Sequence, residues 1–408
     1  MPNRKTIVTI IGTRPEAIKM APVVRELERH PTRFRSIVVC TEQHRELLGQ
    51  AMAAFNLRAD IHLDLMEAGQ GLAEFAARSL TAVSGVLDEL RPDMVLVQGD
   101  TTTMLTSALA AFYKQILVGH VEAGLRSFDR SNPFPEEINR RMAEVLVDLH
   151  FAPTETARRN LLATGVPAGQ VFVTGNTIVD ALHLMRADPA WDNPELDEIA
   201  TSPGRIILVT AHRRENHGIR MHEICLALLA LVRTYEDVRV VWPVHPNPEV
   251  VAVTHEMLSD VARIHLVPAA TYGDILRLMR RSYLIMSDSG GIQEEAPSLR
   301  KPLLVLREVT ERPEGVNVGA ARLVGTDVDR ILHEVGRLLT DEAEYERMRS
   351  APNPFGDGHA ARRIVVAISA RLHEADYVDY ATDPVPVLHT PRTSGESPTV
   401  GSLSVGRR

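Results

Sequence analysis

The chain of 408 residues lacks the features that mark secreted, membrane-bound or nucleic-acid-binding proteins. Its two cysteines, Cys40 and Cys225, lie far apart in apolar segments, so we expect buried thiols in a reducing compartment. The first apolar run, residues 6–11, is too short for a signal peptide or a membrane span, which predicts a cytoplasmic protein without membrane attachment. The formal net charge of -8 argues against nucleic-acid binding, which needs a basic surface, but leaves room for a small anionic ligand.

The common cofactor signatures are missing as well. HExxH, paired CxxC and the calcium-loop pattern do not occur, and the remaining histidines are scattered, so we expect no metal site. The turn after the first apolar run lacks GxGxxG, which argues against tightly bound NAD. The sequence therefore predicts a protein that works without a metal or cofactor.

Short β-branched apolar runs alternate with longer segments of helical spacing along most of the chain. This alternation predicts parallel α/β units. The predicted strands are residues 6–11, 36–40, 94–97, 116–119 and 171–174 in the first half, and 206–210, 239–242, 264–267, 283–286 and 303–306 in the second. A stretch with three prolines, residues 188–204, separates the two series. The predicted fold class is therefore α/β with two Rossmann-like domains in tandem.

Domain limits follow from the same pattern. We expect a first domain over residues 1–176, a second over 177–358, and a C-terminal helix within 359–380 that packs back on the first domain. From residue 381 to 408 the composition changes to Pro, Ser, Thr and Gly, which predicts a disordered tail.

Carboxylates follow two neighbouring strands of the first series. Asp100 comes directly after one strand, Glu122 follows the next, and Glu136 lies in the loop beyond. Since ligands of open parallel sheets bind beyond the carboxyl ends of the strands, these groups are candidates for one site, where clustering would raise their pKa values and prepare acid/base chemistry. An equally open alternative is that each carboxylate pairs with an arginine such as Arg126 or Arg140 and serves packing.

Cationic side chains follow other strand ends. Arg14 and Lys19 come after the first strand and could meet an anion at a helix start, although a tight turn with a solvated helix face fits equally well. His212 and Arg213 follow the strand at 206–210, where they could clamp a diphosphate, although a lone histidine at a strand end is more often structural. Arg312 adds one more cation after the last predicted strand.

A glycine-bearing segment, Ser289–Glu295, lies between a strand and a probable helix in the second half. Ser289, Gly290 and Gly291 would leave amides free for phosphate at the helix start, and Glu295 could accept hydrogen bonds from ribose hydroxyls. Together with the cations, this segment indicates a nucleotide, more weakly than a full GxGxxG would.

Taken together, these motifs closely resemble the non-hydrolysing UDP-N-acetylglucosamine 2-epimerases, which have the two-domain GT-B architecture with the active site in the interdomain cleft. The likeness covers roughly residues 5–372. The segments that carry it, in the family's order, are residues 12–19, 43–45, 99–103, 119–126, 212–215, 288–297 and 310–314.

The resemblance implies a reaction and a set of site residues. UDP-GlcNAc would lose its C2 proton and UDP, form 2-acetamidoglucal, and regain UDP with inverted C2 to give UDP-ManNAc. A homodimer and activation by a second UDP-GlcNAc are also family traits. The implied catalytic residues are Asp100, Glu122, Glu136 and His212. The implied substrate-binding residues are Arg14, Lys19, Asp100, Glu122, His212, Ser289, Gly290, Gly291, Glu295 and Arg312. The activator site would use Gln43, Arg213 and His245.

Some positions depart from the family pattern. Ala270 stands where glutamine is frequent, and Ile275 where an aromatic is common, which would alter contacts with uracil. Phe128 replaces glycine in the loop expected on the sugar side. The alternatives are a hydrolysing epimerase that releases ManNAc and UDP, a retaining glycosyltransferase, and a UDP-sugar-binding protein without catalysis. The retained carboxylates and His212 disfavour the last.

Overall fold

The computed structural model describes residues 4–41, 45–67, 69–185 and 191–373. Its first domain is built on a seven-stranded parallel sheet in the order β3-β2-β1-β4-β5-β6-β7. The strands are β1 (Lys5–Ile11), β2 (Phe34–Cys40), β3 (Ile61–His62), β4 (Met94–Gln98), β5 (Leu117–Val121), β6 (Leu149–Ala152) and β7 (Val171–Val173). The helices are α1 (Arg14–Glu28), α2 (Arg45–Ala54), α3 (Leu72–Leu90), α4 (Thr102–Tyr113), α5 (Glu136–Glu144), α6 (Glu155–Ala163) and α7 (Thr177–Leu184).

The second domain repeats the design with six parallel strands in the order β10-β9-β8-β11-β12-β13. They are β8 (Arg205–Thr210), β9 (Val238–Pro243), β10 (Ile264–Val267), β11 (Leu284–Ser287), β12 (Leu303–Val305) and β13 (Ala321–Leu323). The helices are α8 (Glu195–Thr201), α9 (Ile219–Thr234), α10 (Pro248–Leu258), α11 (Tyr272–Arg281), α12 (Gly290–Glu295), α13 (Pro313–Asn317), α14 (Val328–Thr340) and α15 (Glu342–Arg349). Helix α16 (Ala360–Leu372) ends the described chain.

Helices α7 and α16 connect the two domains. Helix α7 begins directly after the expected boundary at residue 176 and packs against α1, and α16 packs against both of these helices. The Asp180 carboxylate accepts hydrogen bonds from the amides of Ala360 and Ala361, at 3.1 and 2.9 Å, and so satisfies the start of α16. The last described helix is therefore fastened to the first domain.

The predicted fold class is confirmed, and all ten predicted strands are present within two residues of the expected bounds. Strands β3, β6 and β13, of two to four residues, were not predicted. In β6 the buried His150 interrupts the apolar run. The tail expected at 381–408 lies outside the described residues.

Each sheet reverses its strand order once, between β1 and β4 in the first domain and between β8 and β11 in the second. Crevices at such reversals are where open α/β sheets bind ligands. Across the described residues, no helix combines the length and apolar character needed to cross a membrane.

Candidate active site in the interdomain cleft

A cavity of about 350 Å³ lies between the carboxyl ends of the two sheets. Its walls come from both domains, because the turns after β1, β4 and β5 face the segments that follow β8, β11 and β12. The lining residues that the sequence singled out are Arg14, Lys19, Asp100, Glu122, Glu136, Arg213, Ile275, Ser289, Gly290, Gly291, Glu295 and Arg312. The structure therefore brings the carboxylates and most of the predicted cations to one cleft.

The turn after β1 is fastened by Glu16, which the sequence interpretation did not select. Its Oε2 accepts the amides of Gly12 and Thr13 at 2.6 and 2.7 Å, and its Oε1 accepts the hydroxyl of Thr101 at 2.6 Å. Burial raises the pKa of Glu16 to about 7, although these hydrogen bonds oppose the rise. Glu16 thus ties the Arg14 turn to the turn after β4.

Asp100 faces the cavity with its side chain about one quarter exposed. The preceding Gly99 has a φ of +74°, which turns the chain sharply at the end of β4. The guanidinium of Arg140 donates to Asp100 Oδ2, through Nε at 2.9 Å and also through Nη2. The pairing with Arg140 that was weighed as a packing role is therefore present, yet it leaves Asp100 open to the cleft.

Glu122 occupies a buried position directly after β5, with two cations beside it. Gln98 donates to its Oε2 at 2.7 Å, Lys19 contacts the same oxygen, and Arg312 lies 3.9 Å from Oε1. Burial raises the pKa of Glu122, and the positive charge of Lys19 opposes the rise. A buried carboxylate held in this way can exchange a proton nearer to neutral pH than a solvated one.

Glu136 begins α5 and points into the cleft near Asp100. Within the described part of the chain its Oε2 is buried without a hydrogen-bond partner. Burial raises the pKa of Glu136, and the charge of Asp100 adds to the rise. Arg126 does not pair with any of the three predicted carboxylates, since it binds Glu137 at 2.9 Å and Glu144 at 3.4 Å.

His212 lies beside the cavity rather than among the residues that line it. Its ring stacks on that of His245 at 5.0 Å between centroids, and its Nδ1 is 3.7 Å from Asp288 Oδ1. Burial lowers the pKa of His212, while the charge of Asp288 raises it. Asp288 Oδ2 accepts the amides of His212 and Arg213, both at 2.9 Å, and the side chain of Asn216 at 3.0 Å. A buried aspartate therefore fixes this turn.

The start of α12 carries small residues for a steric reason. A Cβ added to Gly290 would lie 2.6 Å from Nη1 of Arg312, so only glycine lets the guanidinium pass this closely. One turn further on, burial raises the pKa of Glu295 to about 7, with the neighbouring charge of Glu294 adding to the rise. Tyr272, also buried and lining the cavity, carries its phenol beside Glu295.

Lys19 and Arg312, expected to face phosphates, already contact carboxylates. Lys19 Nζ lies 2.8 Å from Glu294 Oε2, and Arg312 donates to Glu294 at 2.6 Å and to Glu311 at 2.7 Å. Charge pairs of this kind could not be deduced from the sequence, because Glu294 and Glu295 are adjacent and only the fold decides which of them meets a cation. What the sequence did show is that Lys19, Glu294 and Arg312 each lie in a segment that follows a strand.

The positions that depart from the family pattern lie in different surroundings. Ile275 lines the cavity, whereas Ala270 is half-buried in the core of the second domain. Phe128 is 71% exposed, has a φ of +62°, and lies under the Arg126 guanidinium at 5.0 Å. Gln43 lies outside the described residues. Within those described, no group of three or more His, Cys, Asp or Glu is placed to hold a metal ion.

Comparison with known proteins identifies close relatives. A family model described as UDP-N-acetylglucosamine 2-epimerase matches residues 25–369. The UDP-N-acetylglucosamine 2-epimerase of Bacillus subtilis is 48% identical over 359 residues, which cover 88% of this chain and 93% of that protein. The Escherichia coli enzyme of the same name is 48% identical over 368 residues, with coverage of 89% and 98%. The crystal structure of the Neisseria meningitidis UDP-GlcNAc 2-epimerase bound to UDP-GlcNAc superposes with a TM-score of 0.83 at 44% identity, covering 89% of this chain and 99% of that chain.

Proposed function

This chain belongs to the UDP-N-acetylglucosamine 2-epimerase family, and we propose that it interconverts UDP-GlcNAc and UDP-ManNAc by reversible elimination and re-addition of UDP. One observation carries the proposal. The carboxylates Asp100, Glu122 and Glu136 of the first domain face a cationic, glycine-bearing wall of the second domain across a single cavity.

The chemistry explains why both walls are needed. The hydrogen at C2 of the sugar is a weak acid because it is not next to a carbonyl, so its removal must be coupled to loss of a good leaving group at C1. A carboxylate takes the C2 proton, the C2–H electron pair forms the C1–C2 double bond of 2-acetamidoglucal, and UDP leaves with the electron pair of the broken C1–O bond. Return of UDP to C1, with a proton added to the opposite face of C2, completes the inversion.

Acid/base work falls to the first domain. A catalytic carboxyl is most useful when its pKa lies near the working pH. Burial raises the pKa values of Glu122 and Glu136 towards that range, and Arg140 holds Asp100 at the edge of the same cavity. We assign proton removal and proton return at C2 to members of this set of three, with a different carboxyl group serving each of the two faces of the sugar.

Binding of UDP falls to the second domain. The amides of Ser289, Gly290 and Gly291 would receive phosphate oxygens, and Glu295 would accept ribose hydroxyls. Arg14 lines the cavity from the opposite side and would neutralise the departing diphosphate, with His212 steadying it. The low dielectric of the closed cleft makes these charge contacts stronger than they would be in water.

Incubation with UDP-GlcNAc in deuterium oxide tests the proposal. Epimerisation predicts deuterium at C2 of both UDP-sugars, seen by NMR and mass spectrometry. Free ManNAc would indicate hydrolysis instead, and unlabelled, unchanged UDP-GlcNAc would refute catalysis.

Asp100→Asn is the most direct variant for the same assay. It keeps the size of the side chain but removes the charge that Arg140 holds, so we expect C2 exchange to fall at least a hundredfold, the lower range for acid/base groups. UDP should still bind, because Asp100 is not among its proposed ligands and most of those lie on the other domain; calorimetry measures this. Full exchange in this variant would remove Asp100 from the mechanism.

We further propose that a second UDP-GlcNAc activates the enzyme, that the chain is a homodimer, and that it works in the cytoplasm. Activation is supported by the contact of His245 with His212 and by the position of Arg213 on the cavity wall. A sigmoidal dependence of rate on UDP-GlcNAc concentration is expected, and a hyperbolic one would exclude activation.

The proposal of a homodimer rests on family membership and is tested by light scattering. The cytoplasm is supported by the two cysteines, which are both free thiols.

A further inference from the structure

We propose that Glu294, which does not line the cavity, is a positioning residue that acts on Glu122 through Lys19 and Arg312. The inference rests on the proposed function, because it concerns proton transfer by Glu122. It adds a residue of the second domain to the control of a group in the first.

The contacts form a chain across the cleft. Glu294 lies in α12 of the second domain with its side chain 1% exposed, and its Oε2 is 2.8 Å from Nζ of Lys19. Lys19 belongs to α1 of the first domain and also contacts Glu122. The other oxygen of Glu294 accepts Nε of Arg312 at 2.6 Å, and Arg312 in turn lies 3.9 Å from Glu122. One buried carboxylate thus holds both cations that face Glu122.

The charges around Glu122 explain what this arrangement does. Lys19 faces it from α1, Arg312 from the segment before α13 and Glu294 from α12, while Gln98 of β4 is neutral. Two cations alone would strongly favour the ionised carboxylate and make it a poor base. The negative charge of Glu294 offsets part of their field and competes for their hydrogen bonds, so Glu122 retains affinity for a proton.

This balance depends on domain closure. The ion pair between Lys19 and Glu294 joins the two domains, so separation of the domains would leave Lys19 with Glu122 alone. Separation would also remove Arg312, whose charge offsets that of Glu294, and would expose Glu122 to water, which favours the ionised carboxylate. The basicity of Glu122 is then highest when the cleft is closed, which is also when a reactive glycal is protected from water.

The test compares Glu294→Gln and Glu294→Asp with a matched control, Glu344→Gln. Glu344 is another buried carboxylate that pairs with arginines, but it lies in α15 within the second domain's own network. For each protein kcat, KM and C2 deuterium exchange are measured across the pH range in which it stays folded. Unfolding temperatures are recorded in parallel.

Loss of the Glu294 charge should lower the pKa of Glu122. We expect the limb of the pH profile that depends on Glu122 to move to lower pH by about one unit in Glu294→Gln, with kcat reduced about tenfold or more and KM changed less than about threefold. Glu294→Asp keeps the negative charge but places it farther from Lys19 and Arg312. The Glu122-dependent limb of its pH profile should therefore move in the same direction, by less than in Glu294→Gln. Glu344→Gln should leave the limb in place.

An unmoved limb in Glu294→Gln, or an equal shift in Glu344→Gln, would show that Glu294 has only a structural role. If Glu294→Gln does not fold, Glu294→Asp decides alone, and an unmoved limb in that variant overturns the inference. Absence of C2 exchange in the unmodified enzyme would instead refute the proposed function.

Discussion

Asp288→Asn should loosen the turn that carries His212. The aspartate is buried and its Oδ2 accepts three hydrogen bonds, from the amides of His212 and Arg213 and from Asn216. Hydrogen bonds to a charged acceptor contribute about 1.5–3 kcal/mol and neutral ones about 0.5–1.5 kcal/mol. Loss of the charge therefore costs roughly 1 kcal/mol for each bond, or about 3 kcal/mol in total.

The cost is measurable as a shift in unfolding temperature. For a domain of this size, 1 kcal/mol corresponds to roughly 2–4 °C, so the second domain should melt about 6–12 °C earlier. Activity should also fall, by about tenfold, because a loosened turn no longer holds His212 in place and loss of the Asp288 charge removes a contribution that opposes the lowering of the His212 pKa by burial. Differential scanning calorimetry and C2 deuterium exchange measure the two effects.

Asp148→Asn is the matched control. The Asp148 carboxylate accepts one backbone amide, that of Val118 at 2.8 Å, and lies away from the cleft. The Asp148→Asn variant should unfold only a few degrees below the unsubstituted protein and keep full activity. If Asp288→Asn melted no earlier than this control and retained its kcat, the idea that Asp288 fixes the His212 turn would be wrong.

Three further substitutions probe the cleft. Arg140→Met removes both contacts to Asp100, so C2 exchange should fall at least tenfold with the fold intact by circular dichroism; unchanged exchange would contradict this. Gly290→Ala places a methyl group 2.6 Å from Arg312, so UDP affinity should fall about tenfold or more by calorimetry, and unaltered affinity would refute the steric argument. Glu16 has a pKa of about 7 in the folded protein against 4.5 for an ordinary glutamate, so the stability contributed by its protonated form is lost as the pH rises between these values. The unfolding temperature of the unsubstituted protein should therefore drop relative to that of Glu16→Gln from pH 5 to pH 8, and a constant difference would contradict this.

Much of the cleft could be predicted because parallel strands end at one edge of a sheet. Asp100 and Glu122 follow neighbouring strands, so their proximity needed only the alternation of apolar runs and turns. The same reasoning could not decide which arginine pairs with which carboxylate. Arg126 was weighed as a partner of the candidate carboxylates, but it binds Glu137, which lies next to Glu136 in the sequence.

Contacts between the domains were beyond the sequence for a related reason. Lys19 and Glu294 are separated by most of the chain, and each has several neighbours of opposite charge in the motifs. Their pairing depends on how two sheets are oriented, which short-range patterns do not record. The sequence therefore indicated most of the charged residues that line the cleft, although His212 lies beside it and Tyr272 was not selected, and it did not indicate the network that sets their charge states.

The two domains solve the same local problem with the same device. A turn that must present side chains to a ligand leaves backbone amides without partners, and burial makes such amides costly. In the first domain Glu16 accepts the amides after β1 and binds Thr101 after β4. In the second, Asp288, itself at the end of β11, accepts the amides after β8.

In both domains, then, one buried carboxylate joins the two turns that flank the reversal of strand order. This placement has a consequence for catalysis. Each carboxylate accepts hydrogen bonds from the amides of one turn, so those amides are held rigid and are not free to bind the substrate. The substrate must therefore be bound by side chains and by the start of α12. Charged side chains on rigid turns lose little entropy when they bind, which suits the proposed mechanism, in which the site holds UDP while it is detached from the sugar.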